Sequence, residues 1–223
     1  MARRPVVVEL AGPAGAGKTT VWRLLSRRAR VLGTSVWGLP RPLLVASAAR
    51  TLPAIRALVG AARSLPWEDM QQLIRLDALN LLLHRTRASR PRVVVLDEGP
   101  VFAFAKFRVL GHPCFRDGRL DAWWRRQLAH WAARLDVIVL FDGADPLLVH
   151  RLRTRAQGHP LKHSSEQDVY EFTAAYRREF EWVIAGLTAQ GGPRVVSLAS
   201  DAAPPEELVE RVLAACDETV HAQ

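Results

Sequence analysis

The sequence predicts a three-layer α/β fold, in which helices and a small helical lid flank a five-stranded parallel sheet. Five short apolar segments, each containing valine, alternate with longer segments of helical pattern. Parallel strands require crossover connections, and the intervening helices supply them. Glycines or acidic residues follow three of the strands, as at the ligand-binding edge of such a sheet. We expect a single domain over residues 1–223, because a chain of this length buries one substantial core.

The predicted strands cover residues 5–10, 34–39, 92–96, 137–141 and 194–198. The predicted helices cover residues 18–32, 43–60, 66–89, 120–135, 146–155, 166–190 and 205–220. Gly33 is expected to close the first helix, and Pro53 to interrupt the second. Asp145, followed by Pro146, predicts the N-cap of the helix over 146–155. Residues 101–118 fit either a short helix or a loop.

The strongest motif follows the first strand. Residues 12–19 read Gly-Pro-Ala-Gly-Ala-Gly-Lys-Thr and match the phosphate-binding pattern G-x-x-x-x-G-K-[ST]. The glycines allow backbone N–H groups to turn inward, and the helix that follows presents its N-terminus to an anion. Lys18 suits the β- and γ-phosphates of ATP or GTP, and the Thr19 hydroxyl suits Mg²⁺. The predicted nucleotide-binding residues are Gly12, Ala14, Gly15, Ala16, Gly17, Lys18, Thr19 and Thr20.

Two adjacent carboxylates end the strand predicted over 92–96. An acidic residue after an apolar strand is the usual second ligand of the magnesium ion, and Asp97 takes that role here. Glu98 either accepts a proton from an attacking hydroxyl or binds the acceptor. The two residues could exchange these roles, and Glu98 could instead cap the segment that follows.

Three arginines alternate at the end of the helix predicted over 146–155. Arg151, Arg153 and Arg155 precede a glycine-containing segment, so residues 151–165 are predicted to form a lid that closes over the transferring phosphoryl group. The alternative is an exposed basic helix end. Asp142 fits a simple turn.

The acceptor is not identified by the sequence. We expect its binding helices within residues 41–90, and Phe102, Phe104 and Phe107 are as consistent with the core as with ring stacking. Three tryptophans at helical spacing are expected in the core or an interface: Trp123, Trp124 and Trp131. The acceptor-side candidates are Arg41, Trp67, Asp69, Gln72 and Arg75.

Composition excludes several other classes of function. The net charge of +9 comes from scattered arginines without interleaved aromatic residues, so no specific nucleic-acid binding is expected. Cys114 and Cys216 are far apart and lack metal-site spacing. No run of about 18 uncharged apolar residues predicts a membrane span, so a cytoplasmic location is expected. Formation of a homodimer is left open.

Residues 6–19, 92–100 and 137–155 resemble the P-loop nucleoside and nucleotide kinases, which include thymidylate-kinase-like and adenylate-kinase-like enzymes. The resemblance implies a five-stranded parallel core, ATP-dependent phosphoryl transfer and a lid whose arginines close on the phosphates. Asp97-Glu98-Gly99-Pro100 departs from the Asp-Arg of thymidylate kinases and from the Glu-Arg-Ser of deoxynucleoside kinases. It is similar to the Asp-Gly-Phe-Pro of adenylate kinases without matching it.

The leading hypothesis is a small-molecule kinase that uses ATP and Mg²⁺, with a nucleoside or nucleotide as acceptor. The alternatives are a kinase of another hydroxylated metabolite or antibiotic, a P-loop ATPase or GTPase that acts with a protein partner, and a nucleotide-binding regulator. The chain has no Asn-Lys-x-Asp signature of guanine specificity. The predicted catalytic residues are Lys18, Asp97, Glu98, Arg151, Arg153 and Arg155.

Overall fold

Five parallel strands form one sheet in the computed structural model of the chain. They are β1 (Val6–Ala11), β2 (Val31–Ser35), β3 (Val93–Asp97), β4 (Val137–Asp142) and β5 (Arg194–Ala199), in the spatial order β2-β3-β1-β4-β5. The structure describes residues 4–62, 64–89, 91–155 and 158–221. The fold class predicted from the sequence is confirmed.

The helices of the described residues cover the sheet on both faces. They are α1 (Lys18–Leu25), α2 (Arg41–Ala62), α3 (Trp67–Ser89), α4 (Pro100–Val109), α5 (Asp121–Ala132), α6 (Asp145–Thr154), α7 (Glu166–Thr188) and α8 (Pro205–His221). Alternate residues of β1 face opposite sides: Val7 packs in one apolar cluster with α3, α4, α5 and α7, whereas Val6 and Val8 pack in another with α1 and α8. The two clusters are the cores of a three-layer arrangement.

Strand register brings the sequence motifs to one edge of the sheet. β1 lies between β3 and β4, with Leu10 opposite Asp97 and Ala11 opposite Leu140. The chain therefore leaves β1, β3 and β4 at neighbouring points, and residues 12–19, Asp97-Glu98 and Asp142 all lie there. This is the carboxyl edge of the parallel sheet, where ligands bind in open α/β folds.

The first crossover differs from its prediction. α1 ends at Leu25 rather than at residue 32, and β2 begins at Val31 rather than at residue 34. The Ser26 hydroxyl donates to the Trp22 carbonyl oxygen at 2.7 Å, a local bond that competes with further helix. Gly33 lies within β2, where a Cβ atom would stand 1.9 Å from Ser26 Oγ. The glycine thus permits close packing of α1 on β2 and does not end the helix.

Helix α2 runs through Pro53 without the predicted interruption. The segment Arg41–Gly60 is long and apolar enough to cross a membrane by length and composition, with a mean hydropathy of 1.4 and 22% of the apolar window buried. The expectation concerned a run of about 18 uncharged apolar residues, and it holds for this segment because Arg50 and Arg56 interrupt it. The two arginines do not lower the mean hydropathy enough to remove the helix as a candidate span.

Two other local predictions have clear outcomes. The ambiguous residues 101–118 form most of α4 and a 3₁₀ turn at Pro113–Phe115. The N-cap of α6 is Ala144 rather than Asp145, whose carboxylate binds Arg177 instead. Cys114 and Cys216 are free and buried, and among the described residues no group of His, Cys, Asp and Glu side chains forms a metal-binding cluster.

Candidate active site

The loop between β1 and α1 has the conformation that its glycines allow. Gly12 and Gly15 have φ values of 135° and 86°, in the range that L side chains rarely adopt. A Cβ atom on Gly12 would stand 2.0 Å from the Phe141 carbonyl oxygen, and one on Gly15 would stand 2.7 Å from the Leu148 carbonyl oxygen. The loop therefore lies directly against the end of β4 and helix α6. Ala14, Ala16, Gly17 and Thr20 complete the predicted set around the start of α1.

Lys18 is held inside this loop. Its side chain is 9% exposed, and Nζ donates to the carbonyl oxygens of Gly12 at 2.7 Å and Pro13 at 2.8 Å. Burial lowers the pKa of the ammonium group, while the nearby carboxylates of Asp97 and Glu98 raise it. A phosphate bound at the loop would meet a positioned cation and the N-terminus of α1.

Thr19 and Asp97 meet across the gap between the loop and β3. The Thr19 hydroxyl donates to Asp97 Oδ2 at 3.0 Å, while Asp97 Oδ1 is buried and has no partner. Burial raises the pKa of Asp97, and Lys18 and the Thr19 hydrogen bond oppose that rise. A hydroxyl beside an unpartnered carboxylate oxygen fits Mg²⁺, which takes few protein ligands and completes its shell with water and phosphate oxygens. The predicted pair of metal ligands is thus brought together.

Glu98 occupies an unusual backbone position directly after Asp97. Its φ of 61° lies in the left-handed region, which costs free energy for a residue with a side chain. The indole Nε1–H of Trp37 donates to Glu98 Oε2, and the Val36 amide donates to the Glu98 carbonyl oxygen at 3.5 Å. Burial and the neighbouring Asp97 raise the pKa of Glu98. These contacts hold a carboxylate of increased basicity beside the Thr19–Asp97 pair.

Glu9 is a buried carboxyl group that sequence reasoning missed. It lies within β1 with an exposed fraction of 0%, and its two oxygens accept the amides of Val101 and Phe102, each at 2.9 Å. Burial raises the pKa of Glu9 to about 8, although the backbone amides lower it. Because these amides belong to the first turn of α4, Glu9 fixes the start of that helix and the turn through Glu98. A charged residue inside an apolar strand was the available signal.

The three predicted lid arginines lie in different surroundings. Arg155 is close enough to Lys18 and Asp97 to lower the pKa of both groups. Arg151 instead donates to Ser200 Oγ at 3.0 Å, and Arg153 pairs with Glu166 at 3.0 Å. The proposed lid, 151–165, includes residues 156 and 157, which lie outside the described part of the chain. Of the three side chains, Arg155 is the one whose electrostatic influence reaches the phosphate loop.

Arg177 was also missed by sequence reasoning. From α7 it contacts both Asp142 oxygens, each at 2.9 Å, as well as the Asp145 carboxylate and the Gly143 carbonyl oxygen. Asp142 Oδ1 also accepts the Gly143 amide at 2.8 Å, so the turn expected at Asp142 is present. This network fixes the connection between β4 and α6, against which the phosphate loop packs.

The acceptor-side candidates separate into two groups. The Arg75 guanidinium lies 4.3 Å from the Trp37 ring centroid, Gln72 is buried, and Asp69 accepts the His112 amide at 2.9 Å. Arg41 and Trp67 are exposed. Lys106 of α4, 5.0 Å from the same Trp37 ring, was missed because α3 and α4 meet only in the fold. Phe102 stacks on Tyr176, and the remaining aromatic candidates are core residues: Phe104, Phe107, Trp123, Trp124 and Trp131.

Comparison with known proteins supports the fold. No protein-family model and no curated protein sequence matches the chain. A deoxyadenosine kinase from M. mycoides aligns with a TM-score of 0.57 and 11% identity, covering 96% of this chain and 100% of that one. Shikimate kinase from Bacteroides thetaiotaomicron aligns with a TM-score of 0.50 and 19% identity, covering 94% and 97%. The chain has the fold of P-loop kinases.

Proposed function

We propose that the chain is an ATP-dependent kinase that transfers the γ-phosphoryl group to a small-molecule acceptor, with a nucleoside or nucleotide as the leading class. One observation supports this best: Thr19 of the phosphate loop donates its hydroxyl to Asp97, the residue directly before Glu98. That arrangement combines phosphate binding, metal binding and a basic carboxylate within one edge of the sheet. The two similar structures are also kinases of small molecules, by their names.

In this proposal each residue acts on charge or on a proton. Lys18 and the amides at the start of α1 bind the phosphates, and Arg155 offsets the charge that develops on the transferring group. Thr19 and Asp97 would hold Mg²⁺, which neutralises phosphate charge when bound. Glu98 accepts the proton of the attacking hydroxyl, and its raised pKa makes it a stronger base than an exposed glutamate.

The same proposal assigns roles to larger segments. The helices within residues 41–90 bind the acceptor. Of this range the structure describes residues 41–62 and 64–89. The segment 151–165 closes as a lid, during which Arg151 and Arg153 exchange their present partners for phosphate oxygens. A cytoplasmic location, where ATP is available, belongs with this activity.

The test is ATP consumption by the purified protein across a panel of nucleosides, nucleotides and hydroxylated metabolites. A kinase consumes ATP much faster with one class of acceptor than without any. Lys18→Ala should abolish that turnover, because its ammonium is the cation placed inside the loop. Arg211→Ala is the matched control, since this arginine is exposed on α8 and pairs with Glu207 of the same helix.

Two results are decisive against the proposal. ATP consumption that no member of the panel changes would contradict a small-molecule kinase and favour an ATPase that acts with a protein partner. Full turnover in Lys18→Ala would contradict the placement of the reaction at this loop.

A further inference from the structure

Two cationic side chains share one indole ring beside Glu98. The Arg75 guanidinium carbon lies 4.3 Å from the ring centroid of Trp37, and Lys106 Nζ lies 5.0 Å from it. The same indole donates its Nε1–H to Glu98. Trp37 is half exposed, so solvent and ligands reach this cluster. Two like charges are therefore held together next to the proposed base.

Neither cation has an ionic partner within the described part of the chain. Arg75 and Lys106 form no ion pair or hydrogen bond there, in contrast to Arg108 of the same helix as Lys106, which pairs with Glu179. Burial lowers the pKa of Lys106, and Arg75 adds to that decrease, while the carboxylates of Glu98 and Asp69 oppose it through space. Both carboxylates are hydrogen-bonded elsewhere, to Trp37 and to the His112 amide respectively.

Gln72 adds a third donor without a partner. Its side chain is 2% exposed, and Nε2 is buried with no hydrogen-bond acceptor. It lies three residues before Arg75, so the two side chains share one face of α3. A buried amide donor that lacks an acceptor destabilises the fold, and nearly all buried polar groups in native proteins are hydrogen-bonded. Gln72 and Arg75 thus place two donors with spare capacity on one face of α3, and Lys106 lies against the same indole ring as Arg75. Such a set of donors suits a ligand rich in acceptor oxygens.

We propose that Arg75, Lys106 and Gln72 form an anion subsite, which binds a carboxylate or phosphate group of the phosphoryl acceptor. This inference rests on the proposed kinase function and narrows it: the acceptor is an anionic metabolite or nucleotide rather than a neutral nucleoside. The hydrogen bond from Trp37 to Glu98 ties the subsite to the base, so the anion and the reacting oxygen belong to one molecule. ATP is bound separately, at the loop that contains Lys18.

A simpler role for the two cations makes a different prediction. If Arg75 and Lys106 only support the Trp37 ring and thereby Glu98, their removal lowers kcat equally for charged and neutral acceptors. If the two cations instead form an anion subsite, their removal lowers the preference for charged over neutral acceptors. That loss is measured in KM and in binding affinity. Guanidinium and ammonium groups bind oxyanions through charge-assisted hydrogen bonds, which are about twice as strong as neutral ones.

The experiment uses acceptor pairs that differ by one negative group: shikimate with its methyl ester, and a deoxynucleoside with its 5′-monophosphate. The first pair tests a carboxylate and the second a phosphate. Binding is measured by calorimetry on the full chain with a non-hydrolysable ATP analogue present, so that the phosphate loop is occupied. The anionic member of at least one pair should bind about tenfold more tightly, which corresponds to about 1.4 kcal/mol.

In Arg75→Met and Lys106→Met that preference should fall to nearly one, with the affinity for the ATP analogue unchanged. Arg56→Met is the matched control and should keep the preference, because Arg56 is an exposed arginine of α2. Melting curves confirm that each variant is folded, and Gln72→Leu serves as a third variant with no change of charge. Equal affinity within every pair, no binding of any anionic member, or a preference that survives both methionine variants overturns the subsite.

Failure of the subsite and failure of the kinase proposal are distinguishable. Stimulated ATP consumption with neutral acceptors alone leaves the kinase standing and removes the subsite. Tight, Arg75-dependent binding of an anionic compound without any phosphoryl transfer keeps the subsite and contradicts the kinase.

Discussion

Glu9 gives a quantitative prediction about stability, because its carboxyl group is fully buried and its pKa is raised from 4.5 to about 8. Below pH 4.5 the group is protonated in both the folded and the unfolded chain. Between pH 4.5 and 8 the unfolded chain releases this proton while the folded chain keeps it. The free energy of unfolding therefore falls as pH rises through this window, by about 1.4 kcal/mol per pH unit from this one group.

The variant Glu9→Gln removes the titration while keeping the shape of the side chain. The glutamine amide turns an N–H donor towards one of the two amides that Glu9 accepts, so a penalty of about 1–3 kcal/mol is expected at every pH. That offset does not depend on pH. Between pH 5.5 and 7.5 the wild-type protein should lose about 3 kcal/mol more stability than the variant does.

The assay is urea unfolding at several pH values, followed by tryptophan fluorescence. The exposed Glu181→Gln is the control, and its profile should run parallel to that of the wild type, since this side chain is in water in both states. Parallel profiles for the wild type and Glu9→Gln would contradict a raised pKa of Glu9 in the folded protein. They would mean that Glu9 is ionised in the folded protein and that the amides of α4 outweigh its burial.

Three further predictions concern the site. Asp97→Asn should raise the Mg²⁺ concentration that gives half-maximal ATP binding at least tenfold, measured by titrating Mg²⁺ at fixed ATP. An unchanged titration would remove Asp97 from the metal site. Glu98→Gln should lower kcat by about 10²–10⁴-fold with little effect on ATP binding. In the wild type the rate should fall at acidic pH as Glu98 is protonated, at a pH above that expected for an ordinary glutamate because its pKa is raised. The variant should lose this acidic limb of the pH–rate profile. Retention of that limb in the variant would assign it to another group. Gly12→Ala should prevent ATP binding, since its Cβ would overlap the Phe141 carbonyl oxygen; binding close to that of the wild type would show that β4 yields at this point.

The sequence predicted the parts of the site that depend on local pattern. A valine-rich strand followed by a glycine loop and a helix has few alternative conformations, so the positions of Gly12 and Lys18 between β1 and α1 could be predicted directly. The position of Asp97 was predictable for a similar reason, because an acidic residue at the end of an apolar strand lies at the carboxyl edge of a parallel sheet.

The parts that sequence reasoning missed depend on contacts between distant segments. Trp37 and Glu98 are separated by 61 positions, and no local pattern indicates that they hydrogen-bond. In the sequence Glu9 only interrupts an apolar strand. Its role becomes visible in the fold, where its carboxylate accepts the first amides of α4. Gly33 suggested a helix end because glycine serves there often, yet its lack of a Cβ atom is used for packing against Ser26.

We propose that this edge of the sheet transfers a phosphoryl group to a small molecule. The most direct measurement follows ATP labelled in its γ-phosphate during a single turnover with the best acceptor of the panel. We expect the label to appear in the acceptor, in equal amount to the ADP formed, and Lys18→Ala to abolish both. Label released only as inorganic phosphate, at a rate that no acceptor changes, would contradict it.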